Sequence, residues 1–255
     1  MDILSVWNKQ LTIKEKSSLT YTLSILKLKK WLNKRDSVIS FPLFEYHLQG
    51  YNNESLQLLV KEIFVDRVYD VTKILNTSQP LQFIDAGANV GLSVLFFKRN
   101  FKNSIVEAYE PGDTSFQLLQ KNIEANGLKE VQLVPTAISD SDQLLYAEEG
   151  FEHSSVNQKF SLTGNPERPV ASMRLANRLK QKVDCVKLDI EGDEYKVLND
   201  VISYKCLVNV FCWLIEFHNE EQQKEGIIKE FKRNGFTYKR KKNVYCFTQT
   251  KTGEY

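Results

Sequence analysis

Between residues 81 and 248 short apolar runs alternate with segments of helical period. Residues 81–85, 105–109, 131–134, 144–147, 183–190 and 208–217 read as strands, by run length and β-branched or aromatic content. Residues 90–101 and 194–204 read as helices. So does the segment begun by Thr114, which stands at capping-box spacing from Gln117, carries Phe116, Leu119 and Ile123 on one face and stops at Gly127. Ser172 is expected to open a helix bearing Leu175 and Leu179, and Asn219 to cap one over 220–234 that Gly235 ends. Two strands at 236–239 and 244–248 follow with no helix between them. Strands alternating with helices imply a parallel sheet covered on both faces, here with an antiparallel strand at the C-terminal end.

The first 78 residues lack that alternation. Leu19, Leu23, Leu26 and Trp31 fall at helical spacing, as do Leu56, Leu59, Val60, Ile63 and Phe64, which predicts a mainly helical extension packed as a cap on the domain at 79–255. Lys27, Lys29, Lys30, Lys34 and Arg35 decorate the first of these helices. They form either a solvated face or a basic surface helix that meets a membrane or an acidic partner. Residues 141–171 are irregular and polar, a loop long enough to suggest function.

Composition narrows the classes. Lys and Arg total 34 against 32 Asp and Glu, and a balance that even argues against a dedicated nucleic-acid binder. Cys185, Cys206, Cys212 and Cys246 form no C-x-x-C pair, which favours reduced thiols. No uninterrupted apolar run approaches the ~18 residues of a membrane span. With no signal-peptide pattern visible, a soluble cytoplasmic protein is expected.

Ligands of open α/β sheets sit beyond the carboxyl ends of the strands. There the chain places Asp85-Ala86-Gly87-Ala88-Asn89-Val90-Gly91, a glycine-bearing turn into a helix. The spacing fails the dinucleotide pattern G-x-G-x-x-G. The acid at Asp85 would repel a pyrophosphate but suits the cationic end of S-adenosylmethionine. Glu110, closing the second strand, is placed for a ribose diol, and Asp140 stands where an adenine amine or plain solvent would meet it. Asp189-Ile190-Glu191-Gly192-Asp193-Glu194 sets four carboxylates at the mouth of the sheet. Such a run suits acceptor binding, helix N-terminal acids or a hard cation, and no metal is assigned to it. Glu216 and His218 share one side of the fifth strand. His218, which with His47 and His153 makes up the histidines, is either a general base or half of a structural Glu–His hydrogen bond.

The strings 83–91, Glu110-Pro111, 187–194 and Glu216-Phe217-His218, in this order, resemble the FkbM family of S-adenosylmethionine-dependent methyltransferases over roughly residues 60–220. The resemblance implies a class I methyltransferase (Rossmann-like) fold: a seven-stranded, mostly parallel sheet with an antiparallel C-terminal strand, here behind a helical N-terminal extension. It implies O-methylation of a sugar, glycan or other small metabolite. By the same resemblance Asp85, Gly87, Asn89 and Gly91 line the methionine end of the cofactor, Glu110 holds the ribose and Asp140 lies near the adenine. Asp189, Glu191 and Glu194 face the reacting centre, with Glu216 and His218 opposite and His218 expected as the base. Asp193 departs from the family's usual alanine, and the first 55 residues match no named pattern. Methylation of RNA and a non-catalytic nucleotide-binding module of the same fold are the competing expectations. The basic turn Lys239-Arg240-Lys241-Lys242 favours the former.

Overall fold

The computed structural model describes residues 3–35, 37–76, 78–148, 160–218 and 221–250. A short 3-10 turn (Ile3–Val6) is followed by α1 (Ile13–Leu32), a hairpin of β1 (Val38–Leu43) and β2 (Tyr46–Tyr51), and α2 (Glu54–Val60), which continues as a wider turn over Lys61–Val65. The sheet domain then runs β3 (Gln82–Ala86), α3 (Leu92–Asn100), β4 (Ile105–Tyr109), α4 (Asp113–Ala125) and β5 (Val131–Val134). A small sheet follows: β6 (Ala137–Ser139), β7 (Leu144–Ala147), β8 (Phe160–Ser161) and β9 (Pro169–Arg174). The last elements are α5 (Leu175–Arg178), β10 (Val183–Leu188), α6 (Glu194–Ser203), β11 (Val210–Glu216), α7 (Glu221–Arg233), β12 (Phe236–Lys241) and β13 (Val244–Gln249).

Seven strands form the main sheet in the order β12-β13-β11-β10-β3-β4-β5, and β13 alone runs against its neighbours. This is the expected class I methyltransferase-like α/β sheet. Period-two alternation divides its side chains between two buried layers. Phe83, Val106, Cys185 and Leu214 point into the layer shared with the N-terminal residues and α3. Ile84, Val186, Trp213 and Ile215 point into the layer of α5, α6 and α7. Coverage of both faces explains why the central strands are apolar almost throughout.

The N-terminal residues pack against the first layer. A capping box starts α1: Glu15 N–H donates to the Thr12 side chain, and the Glu15 carboxylate accepts from Thr12 N–H. Leu19, Leu23 and Leu26 are buried as their spacing predicts, but Trp31 is 82% exposed. The β1–β2 hairpin is new relative to the sequence expectation. Its turn at Phe44-Glu45 lacks an Asn-Gly signature, and Phe44 takes a left-handed φ of 55° that glycine or asparagine would ordinarily signal. Tertiary contacts hold it there: Phe44 meets the Phe64 ring at 5.7 Å and the Arg99 guanidinium at 4.0 Å.

Two other local readings change. α4 begins at Asp113 with Gly112 as its cap, so Thr114 lies inside the helix and forms no capping box. The carboxylate of Glu110 accepts from Gly112 N–H and settles the start of the helix instead. Ser172 lies in β9 rather than opening a helix, and its hydroxyl donates to the carbonyl of Ser141. The Asn219 cap falls outside the described residues.

Asn122 of α4 ties the hairpin to the sheet domain. It is buried, donates to the carbonyls of Gln49 (2.9 Å) and Val90 (2.8 Å), and accepts from Gln49 N–H (2.7 Å). Asn122→Ala leaves these groups unpaired and is expected to cost about 2–3 kcal/mol. In thermal unfolding this is a loss of roughly 5–10 °C. Melting unchanged from the parent would mean that the hairpin is held without this tie.

Candidate active site

An open cleft with about 1000 Å³ of free space, part of it continuous with solvent, lies beyond the carboxyl ends of β3, β4 and β10. Loop 87–90 and the pair Glu110-Pro111 form one wall, Asp189, Glu191 and Asp193 another, and Ile138 and Phe160 a third side. Leu59, Ile63 and Tyr69 of the N-terminal region close it.

The loop after β3 is shaped by close backbone approach. Gly87 has φ 81°, and a Cβ there would stand 1.9 Å from the carbonyl oxygen of Asp189. Any side chain would push apart the two loops that flank the cleft. Gly91 has φ 91° and caps α3; its missing Cβ makes room for Leu119, so it serves helix packing and does not line the cleft. Asn89 does line it, at φ 51°, with its Oδ1 accepting from Val90 N–H.

Glu110 is buried in the wall. Its Oε2 accepts from Asn89 N–H (2.8 Å) and its Oε1 from Gly112 N–H (2.9 Å). Each oxygen keeps one lone-pair direction for a further donor. Burial pushes this carboxyl up to about 7, so a ligand offering two hydroxyls would stabilise its charged form.

Asp85 stands elsewhere than expected. It is fully buried behind the cleft wall, accepts from Ser93 Oγ and pairs with Lys187 Nζ at 3.2 Å. Lys187 is the group that reaches the cleft. Its ammonium also meets Asp189 at 3.3 Å and donates to the carbonyl of Gly87 at 2.6 Å. Burial disfavours its charge, but Asp85 and Asp189 outweigh that and hold its pKa above the ordinary lysine value. Tyr69 Oη donates to Asp189 Oδ2 at 3.2 Å. Sequence reasoning assigned no role to Lys187 or Tyr69. The signal for Lys187 was a charge, along with Asp184, within a mostly apolar central strand; Tyr69 left none, because it comes from the extension.

Asp140 does not line the cleft; its Oδ1 accepts from Ser139 and Ser141, and the apolar Ile138 takes its place in the wall. Glu216 faces a smaller pocket beside the cleft, with Glu62 and Lys242. Burial and the nearby Asp189 push Glu216 up to about 7.

His218 is surrounded by carboxylates. Its Nδ1 is 3.0 Å from Oε1 of the fully buried Glu194, and its Nε2 stands 3.6 Å from Glu191 and 3.9 Å from Asp189. Glu194 Oε1 also accepts from Ile190 N–H (2.9 Å) and Gly192 N–H (3.2 Å), which fixes the loop after β10. Burial opposes charge on His218, but Glu194, Asp189 and Glu191 together raise its pKa to about 9. These carboxylates favour the protonated imidazole. Glu191 lines the cleft in a left-handed conformation (φ 61°). Burial and the charge of Asp189 raise it to about 7, against the opposing pull of His218. Asp189, Glu191 and His218 offer donor atoms within 4.8 Å of one another, a set able to hold a cation that the sequence left unassigned.

Residues 85–238 match the family described as the Methyltransferase FkbM domain, which is more than half of the chain. Methyltransferase 1 of Beauveria bassiana (strain ARSEF 2860) is 28% identical over 174 residues, covering 56% of this chain and 66% of that protein. Methyltransferase sdnD of Sordaria araneosa is 27% identical over 180 residues, covering 57% and 68%. The chain thus spans about two thirds of the length of these relatives. A solved FkbM methyltransferase from Methylobacillus flagellatus KT superposes with a TM-score of 0.51 at 10% identity, over 94% of this chain and 63% of that one, a likeness of fold.

Proposed function

The chain belongs to the FkbM methyltransferase family, and on that premise we propose that it transfers the methyl group of S-adenosylmethionine to a hydroxyl of a small molecule or glycan. S-adenosylmethionine is the family's cofactor and supplies the methyl group on a sulfonium, already activated for transfer. What remains for the protein is to hold donor and acceptor in line and to help the hydroxyl lose its proton.

The observation that carries this reading is the pairing, in one cleft, of Glu110 with spare acceptor directions and Glu191 with a pKa near neutral. Glu110 would receive the ribose hydroxyls, and Ile138 would pack on the base. Lys187 holds the 87–90 loop from behind and offsets the charge of Asp85, so Asp85 acts on the cleft through Lys187 rather than by touching the cofactor. Glu191 would take the proton of the acceptor hydroxyl. His218 is a positioning residue: anchored by Glu194, it turns a positive Nε2 edge toward Glu191 and limits the rise of that carboxyl's pKa. Residues 1–78 would act as a cap, since Leu59, Ile63 and Tyr69 close the cleft.

Glu110→Ala tests the cofactor end. With S-adenosylmethionine the parent protein should melt higher by the linkage RT ln(1 + [L]/Kd). The variant should lose about 2 kcal/mol of binding, roughly a thirtyfold weaker Kd by calorimetry. Equal Kd for both proteins would remove Glu110 from the ribose. A second reading sets a divalent cation among Asp189, Glu191 and His218, favoured by their mutual distances. Turnover that falls on chelation and returns with Mg²⁺ would favour it over proton removal by Glu191.

A further inference from the structure

We propose that the outer face of α1 is a membrane-docking surface that seats the protein on an anionic lipid bilayer. The observation is a helix apolar on both sides. Leu19, Leu23 and Leu26 face the core. On the opposite side Ile13, Ser17, Tyr21, Ser24, Leu28 and Trp31 recur at every third or fourth residue, all exposed, and form one stripe about 27 Å long at 1.5 Å per residue. Trp31 is 82% exposed, Ile13 77%, Tyr21 61% and Leu28 55%, with Leu32 beside them at 62%. A solvated helix carries its charges on the face turned away from the core. On α1 that stripe has none.

The charges sit at its edges and share one sign. Lys14 borders the stripe on one side and Lys27 on the other, with Lys34 just past the helix end, and all three are exposed. None of the three makes an ion pair with a described residue. Glu15, the one acid of α1, is held in the capping box at the helix start. Tryptophan and tyrosine with leucine on the face, and lysines reaching outward from its margins, match an interface where acyl chains lie beneath phosphate headgroups. A second copy of this chain fits less well. A twofold contact through the stripe would bring the lysine borders of the two copies together, with no acid on the face to answer them.

The 255-residue chain is to be floated with vesicles of phosphatidylcholine alone and of phosphatidylcholine with phosphatidylglycerol, at low and high salt. Binding to the anionic vesicles, weakened by salt and by omission of phosphatidylglycerol, is expected. The double variant Leu28→Glu/Trp31→Glu should float at least about tenfold less, since it removes apolar area that enters the interface. Both side chains are exposed, so its unfolding midpoint should match the parent's. A second measurement needs no destabilising change: brominated phosphatidylcholine in the anionic vesicles should quench tryptophan emission of the parent, and Trp31→Phe should lose most of that quenching. Absence of flotation with every vesicle, or undiminished flotation of the double variant, overturns the proposal. So does a concentration-dependent dimer in sedimentation that the double variant abolishes, because the stripe would then belong to a second copy.

Discussion

Glu191→Gln should lower methyl transfer by about 10²–10⁴-fold, the usual scale of general acid–base catalysis, while the affinity for S-adenosylmethionine stays near that of the parent. Glutamine keeps the shape and the neutral hydrogen bonding of the side chain but cannot accept a proton. The pH profile gives a sharper readout. Glu191 titrates at about 7, and a base works only when deprotonated, so the rate should fall as pH drops through about 7. Were His218 the base, the corresponding limb would stand near its own value of about 9. His218→Asn separates the two further. Removing that cation takes away the interaction that lowers the Glu191 pKa, so the limb should move to higher pH with a smaller loss of maximal rate. Wild-type turnover from Glu191→Gln, or a limb that vanishes in His218→Asn, would transfer the proton to another group.

Lys187→Met should be the most destabilising single change in the cleft wall. Lys187 is 2% exposed and Asp85 0%, and the two stand directly opposite on β10 and β3. Removing the ammonium leaves the Asp85 carboxyl in the interior with Ser93 as its only side-chain donor among the described residues. Breaking a buried pair from one side costs about 3–5 kcal/mol, or roughly 10 °C or more in a chain of this size. The carbonyls of Ala86 and Gly87 lose a donor at the same time, so loop 87–90 loosens and donor affinity falls with stability. The double variant Asp85→Leu/Lys187→Met distinguishes charge from shape. With no stranded carboxylate it should recover much of the lost stability, although not the lost affinity. Thermal melts and calorimetry of the three variants measure both terms. A single variant as stable as the parent would mean that the Asp85–Lys187 pair adds nothing to stability.

Glu191 was visible in the sequence as part of an acid run at the end of a strand. Its pKa was not, because that depends on burial and on the approach of Asp189 and His218. Asp189 and Glu191 stand within five residues of Glu194 in the chain, but His218 arrives from the segment after β11, a separate strand. Asp85 was legible as an acid at a strand end, yet its partner Lys187 lies about a hundred residues on. Only the β3–β10 register makes them neighbours.

By itself the sequence determined the strand and helix rhythm of residues 81–248, the glycine turn after the first strand and the acids that end three strands, and with them the sheet and the edge where the cleft opens. These are local properties: period two or 3.6, and backbone that only glycine enters cheaply. The tertiary structure decided which acids face the cleft and which are paired behind it, set Asp140 and Glu216 outside it, and surrounded His218 with carboxylates. It also built a hairpin on a turn without a turn signature and left Trp31 in the open. Each of these turns on strand register and packing between segments far apart in the chain, and pairing across such distances has no trace in local periodicity.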